Sequence, residues 1–228
     1  MDARITKIVC VLAASLAATA PNATHAQTQR MSVTEVLARF RQGALEANPN
    51  RDGAMNAIAR LLGINPIYAP ATVDSVLAGL ERMALDESSE AVANAGAAML
   101  ARSGQLLGPR GGGVLPRMLR LYEATTNPVV RLMIIQGVAL QPDSETDEGI
   151  AFLTQVAEST DTVSEDEPWY AVATLDKMGE PGRSAMQRLH RNSAVRNGKA
   201  RGYLEHLVAC ELTQGSSASH GCRAPHQP

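Results

Sequence analysis

Four stretches of this chain restate one short pattern: a residue able to cap a helix, a valine or tyrosine three positions on, and then an alanine-rich apolar run. The copies begin at Ser89, Asn127, Glu167 and Asn192 and lead to Val92, Val130, Tyr170 and Val195. Units of this kind bury their apolar faces only against neighbouring copies, so a chain that carries them is expected to stack helical hairpins into an all-α solenoid. The steps from Val92 to Val130 to Tyr170 to Val195 are 38, 40 and 25 residues. Copies spaced so unevenly are unequal, and the middle loops carry insertions.

Helical periodicity divides the chain into about five hairpins. Ser32 and Glu35 form a capping box ahead of Val33, Val36, Leu37, Phe40 and Ala44. A turn at Asn48, Pro49, Asn50, Asp52 and Gly53 leads to a second stripe, Ala54, Met55, Ile58, Leu61 and Leu62, closed by Gly63. Val73, Val76, Leu77, Leu80, Met83 and Ala84 describe one buried face, and their partner helix from Ser89 to Arg102 is dense in alanine and glycine, which lets helix backbones approach closely. The third pair sets Val114, Leu115, Met118, Leu121 and Tyr122 against an all-round apolar helix from Pro128 to Leu140. The fourth runs from Thr146 to Glu158 and from Pro168 to Met178, with Ser164 and Glu167 as a second capping box. In the fifth, Pro181 and Gly182 open a short helix carrying Ala185, Met186 and Leu189, and the last helix carries Ala200, Tyr203, Leu204, Leu207 and Val208. No segment alternates with period two for long enough to make a sheet, and the signatures of ankyrin and tetratricopeptide units are absent.

Residues 1 to 26 read as a secretory signal peptide, with Arg4 and Lys7 ahead of an apolar run from Ile8 to Ala20 and small Thr24 and Ala26 before Gln27. That run is too short to span a bilayer as a helix. The reading is an exported protein, periplasmic or secreted, with a helical domain over 27–212 and a polar, disordered tail over 213–228. Removing Arg4, Lys7 and Asp2 from 21 basic and 23 acidic residues leaves 19 against 22, a net charge of about −3 that argues against nucleic-acid binding. Only 3% of residues are aromatic. The core must therefore be built from Leu, Val, Ala, Ile and Met, the methionines filling irregular gaps.

The segment from Leu175 to Val208 places Gly179, Glu180, Pro181 and Gly182 at a turn, then a short helix, Asn192, and Ala194, Val195 and Arg196 opening a second helix. Asn127, Val129, Val130 and Arg131 restate that signature. With these residues the chain resembles the HEAT-like repeat family over roughly Thr72 to Val208, departing from the pattern at Ala93 and Ala171. The resemblance implies a curved, armadillo-like superhelix whose second helices line a concave side commonly used to hold other proteins. It further implies that Arg131 and Arg196 bond to turn acids or amides of their own or a neighbouring repeat. Some members of the family are bilin lyases, a role that export and the lack of a Cys and acid cluster disfavour.

Motifs for chemistry are sparse. The acidic run Asp143, Glu145, Asp147 and Glu148 fails as a calcium loop, because Gly149 comes one place late and position twelve from Asp143 is Thr154 rather than a bidentate Glu. The stretch Gly108, Pro109, Arg110, Gly111, Gly112 and Gly113 has no Lys followed by Ser or Thr, so it is no phosphate cradle. His190, His206, His220 and His226 fall late in the chain, and no serine sits in a nucleophile turn. No catalytic residue, cofactor or metal is assigned.

Charge is more informative. No Lys or Arg occurs from Leu132 to Asp176, whereas Lys177, Arg183, Arg188, Arg191, Arg196, Lys199 and Arg201 crowd the last repeats. The sequence thus points to a protein-binding scaffold or adaptor whose basic end, Arg183, Arg188, Arg191, Arg196, Lys199 and Arg201, steers an acidic protein partner. The alternative is a metal- or redox-responsive protein run from His206, Cys210, His220 and Cys222, four zinc-type ligands at an unconventional spacing. In an oxidising compartment Cys210 and Cys222 are expected to form a disulfide instead, closing a loop of about a dozen residues for ~2–3 kcal/mol. A thiol titration of the mature protein separates the two: no reactive thiol before reduction and two after it is the expected result, whereas free thiols with bound zinc would favour the alternative.

Overall fold

A computed structural model of the chain describes residues 32–46, 55–59, 62, 70–108, 113–142 and 146–214. The expected signal peptide, the Asn48 to Gly53 turn, Gly63, most of the glycine-rich stretch, Asp143, Glu145 and the tail past Gln214 lie outside those residues. Among the described residues every regular element is helical.

The helices are α1 (Val33–Glu46), α2 (Pro70–Ala84), α3 (Glu90–Leu107), α4 (Val114–Ala124), α5 (Pro128–Gly137), α6 (Thr146–Glu158), α7 (Glu167–Lys177), α8 (Gly179–Arg191) and α9 (Gly198–Gln214). Residues 55–59 are also helical, and a 3-10 turn, Val138–Leu140, extends α5. Side chains that satisfy the first free amides start several of them. The Ser32 hydroxyl accepts the Glu35 N–H at 3.2 Å, and the Ser89 hydroxyl accepts the Val92 N–H at 3.3 Å. The Asn127 carbonyl oxygen takes the N–H groups of Val129 and Val130 at 3.0 and 3.3 Å. Pro128 then stands in the first turn, where its missing N–H costs nothing.

The apolar stripes meet in one core cluster that extends from Val36 to Leu207. Val36, Phe40, Ile58 and Leu62 close its N-terminal side, and Val76, Leu80, Val92, Leu100, Leu115, Ile134, Ile135, Leu153, Val172 and Leu175 fill its length. Met83, Met99, Met118 and Met186 are buried, and Met55, Met133 and Met178 pack against the cluster, so the described methionines serve the core. Every extensive helix contact joins elements one or two places apart in the chain. α2 lies on α3, α4 on α5, α6 on α7 and α8 on α9, while α3, α5, α7 and α9 each touch the next in that row.

Several helix boundaries differ from the sequence reading, and capping decides the one between the last two helices. The helix expected to open at Ala194, Val195 and Arg196 begins at Gly198 instead, where the Asn197 side chain accepts the Ala200 N–H at 3.0 Å. Asn192 closes α8 rather than starting the next helix. The N–H of Ala194 reaches the Leu189 carbonyl and that of Ser193 the His190 carbonyl, with Ser193 in the left-handed region at φ 50°. Helix α8 opens at Gly179, φ 68°, two residues before Pro181. At the far end α9 runs through Gln214, so Thr213 and Gln214 belong to the last helix rather than to the tail.

Small residues set the closest approach. A Cβ added at Gly96 of α3 would stand 2.7 Å from the Ala84 nitrogen and 2.9 Å from the Leu80 carbonyl oxygen, both backbone atoms of α2. Neither can move without displacing the helix. Gly96→Ala is therefore expected to destabilise the protein by about 1–3 kcal/mol despite its better helix propensity, read as a lower midpoint in thermal unfolding followed by circular dichroism.

Candidate functional site

The most heavily bonded group among the described residues joins three helices. Glu167, the first residue of α7, is 0% exposed. Its carboxylate takes the Nε and Nη2 donors of Arg131 on α5 at 3.0 and 3.1 Å, and the hydroxyl of Tyr122 on α4 at 2.6 Å. The backbone N–H of Ser164 supplies a fourth donor at 3.1 Å. Arg131, 12% exposed at its side chain, also donates through Nη1 to the Tyr122 carbonyl at 3.2 Å and stacks its guanidinium 3.7 Å above the Tyr122 ring. Phe152 of α6 meets that ring edge-on at 5.0 Å. A buried charge with donors on every side is stable where an unpaired one would not be.

Arg131 thus bonds to an acid, as the resemblance implies, and that acid stands at the start of α7. The second capping box is half realised: Glu167 accepts the Ser164 N–H, while the Ser164 hydroxyl takes the Asp166 N–H at 3.3 Å instead of that of Glu167. Arg196 plays no such part. It is exposed, and no acid stands within ion-pair reach of it among the described residues. The shift of the last helix start to Gly198 explains this, because Arg196 lies outside the helix where Arg131 lies inside.

The cluster also fixes the chemistry of Tyr122. Burial, and after it the hydrogen bond to Glu167, raise the phenol well above the ordinary tyrosine range. Burial is likewise the main cause of the upward shifts at Tyr170 and Tyr203, with Asp166 and Asp176 adding to them. A neutral phenol hydrogen-bonded to a carboxylate serves as a donor to the buried charge.

The six basic residues singled out in the sequence separate into two groups. Arg183 pairs with Glu180 on its own helix at 2.8 Å, Lys199 with Asp166 of the loop before α7, and Arg201 lies 3.8 Å from Glu205 one turn on. Arg188, Arg191 and Arg196 are exposed with no acid paired to them among the described residues. Arg188 and Arg191 occupy the last turn of α8, where a cation suits the helix dipole.

Sequence reasoning missed a second feature of the last three helices. Trp169 and Tyr170 of α7 and Tyr203 of α9 form an aromatic group, the Trp169 centroid 4.9 Å from Tyr170 and 5.5 Å from Tyr203. All three side chains are only half-buried, and Lys199 stands 5.6 Å from the Trp169 centroid. Helical spacing could not have paired residues 169 and 203, because the side-by-side packing of α7 and α9 makes the contact. Of the zinc-type set, His206 and Cys210 lie on α9, and His220 and Cys222 are outside the described residues, as is the expected bridge between Cys210 and Cys222. Among the described residues no group of three or more His, Cys, Asp or Glu side chains is arranged to hold a metal ion. Comparison with protein-family models, with curated proteins and with solved structures gave no match to this chain.

Glu167→Gln leaves Arg131 buried without its counter-charge and is expected to cost about 3–5 kcal/mol; Tyr122→Phe, which removes one bond to a charged group, about 1.5–3 kcal/mol. Because the folded state raises the Tyr122 pKa, its stabilising contribution is whole below the ordinary tyrosine value of about 10 and is lost as pH rises through and above it. Melting temperatures across alkaline pH should therefore fall more steeply for the wild type than for Tyr122→Phe, and parallel curves would contradict the assignment.

Proposed function

We propose that the protein is an exported HEAT-like α-solenoid that serves as a protein-binding scaffold or adaptor, with its C-terminal repeats as the contact region for an acidic partner. The observation that carries this reading is the group of three arginines, Arg188, Arg191 and Arg196, exposed and without ion-pair partners among the described residues at the junction of α8 and α9. Arginine left unpaired on a surface retains its capacity for bidentate bonding to a carboxylate. The row of second helices α3, α5, α7 and α9, each against the next, supports the solenoid, as does the bond from Arg131 to the following repeat. Export rests on Arg4, Lys7 and the apolar run that follows them. No helix among the described residues is long and apolar enough to cross a membrane. The reading involves no catalytic step, no cofactor and no nucleic acid.

In-cell crosslinking followed by purification of the tagged protein tests it. The triple charge reversal Arg188→Glu, Arg191→Glu and Arg196→Glu is expected to abolish recovery of the partner, while Arg39→Glu, at an exposed position of α1, leaves recovery unchanged. Because the three sites are exposed, each reversal should change stability by no more than about 1 kcal/mol, mostly through the α8 dipole. Recovery of the same protein by the triple variant would rule out the basic end as the contact.

A further inference from the structure

The contact region contains more than charge. The loop before α7 and the start of α9 are tied together, since Asn197 donates from Nδ2 to the Glu165 carbonyl at 3.0 Å and Lys199 pairs with Asp166. These ties bring Arg196, one residue before Asn197, to the end of α7 at which Trp169 stands. Helix α8 delivers Arg188 and Arg191 toward the same end, because its last turn leads directly into residues 192–197. Val163, 45% exposed and one of three large hydrophobic side chains so exposed among the described residues, sits in the tied loop. The same end of α7, α8 and α9 therefore carries Val163, Trp169 and Tyr203 and three exposed arginines that have no ion-pair partner among the described residues.

Tryptophan, tyrosine and arginine are the side chains that most often dominate binding energy at protein interfaces, because they combine large contact area with fixed polar groups. Resting on the scaffold reading, we infer that this end is the anchoring site and that its occupant is an acidic linear segment of a protein partner, carrying an apolar side chain between its carboxylates. The apolar side chain seats against Val163, Trp169 and Tyr203, and the flanking carboxylates reach Arg191 and Arg196. The acids bordering the patch limit the width of the ligand. Asp161 and Glu165 are exposed in the same loop, so a broad anionic surface such as a bilayer or a nucleic-acid backbone meets repulsion there, while a narrow strand passes between. Lys199 is held by Asp166 over the Trp169 ring and shapes the site rather than offering free charge.

Trp169 is the single tryptophan of the chain, so its fluorescence reports on this end alone. The probe is a short, tryptophan-free peptide of glutamates around one leucine, titrated into the mature protein at low salt. Binding with a blue shift of Trp169 emission is expected, weakened at least about tenfold when Gln replaces Glu or Ser replaces Leu, and weakened likewise by Arg191→Glu with Arg196→Glu. Arg196→Gln, which adds no repulsion, should weaken binding in the same direction, and unchanged circular-dichroism melts would show that the variants are folded. The inference is overturned by an emission that does not respond to the peptide, by Gln or Ser peptides that bind as tightly as the parent peptide, or by a response to anionic phospholipid vesicles in place of the peptide. Failure here with crosslinked partner still lost in the triple variant would leave the scaffold reading standing and remove only this site; a partner retained by the triple variant would remove the reading itself.

Discussion

A carboxylate with no exposed surface can stay at the heart of a helical protein only if donors reach it from every side, and Glu167 requires two neighbouring helices and a loop to supply them. Arg131 brings α5, Tyr122 brings α4, and the Ser164 amide brings the loop that leads into α7. If any one of these is displaced, a buried charge is left short of partners, at a cost of several kcal/mol. The relative placement of the third and fourth hairpins is thereby specified far more sharply than apolar packing alone would specify it, since leucine and valine faces tolerate small slips. The surroundings are consistent with such a fixed joint. Phe152 meets the Tyr122 ring from α6, and the Arg131 guanidinium stacks on the same ring.

The surface formed by α7, α8 and α9 depends on that joint. Glu167 sets where α7 begins, and with it the positions of Trp169 and Tyr170 two and three residues on. Asp166, immediately before it, holds Lys199, and Glu165 holds Asn197, which caps α9. A chain of bonds thus runs from the buried pair to the start of the last helix within a few residues. The arginines at the α8 to α9 junction are left over from this network. Arg131 is consumed by structure, Arg183, Lys199 and Arg201 have acids beside them, and Arg188, Arg191 and Arg196 are left facing solvent.

Helix periodicity was the most legible layer. The stripe from Val73 to Ala84 is the buried face of α2, the alanine-rich partner packs close against it through Gly96, and α6 runs from Thr146 to Glu158 as its pattern implied. Apolar side chains at steps of three and four report burial directly, which is why these elements could be read locally. Helix ends were less legible wherever two caps competed. Asn192 and Asn197 are both able to cap a helix, and only the Ala200 amide, together with the reversal of the chain at Ser193, decides between them.

By itself the sequence determined an all-helical protein with a core of small and aliphatic residues and a basic stretch from Lys177 to Arg201. These are properties of spacing and composition, which act along the chain. Tertiary structure decided which arginines are spent on ion pairs and which are left exposed, and it assembled Trp169, Tyr170 and Tyr203 from two helices separated by a third. Such features depend on distances between residues far apart in the chain, set when α7 and α9 come side by side, and no local pattern encodes them.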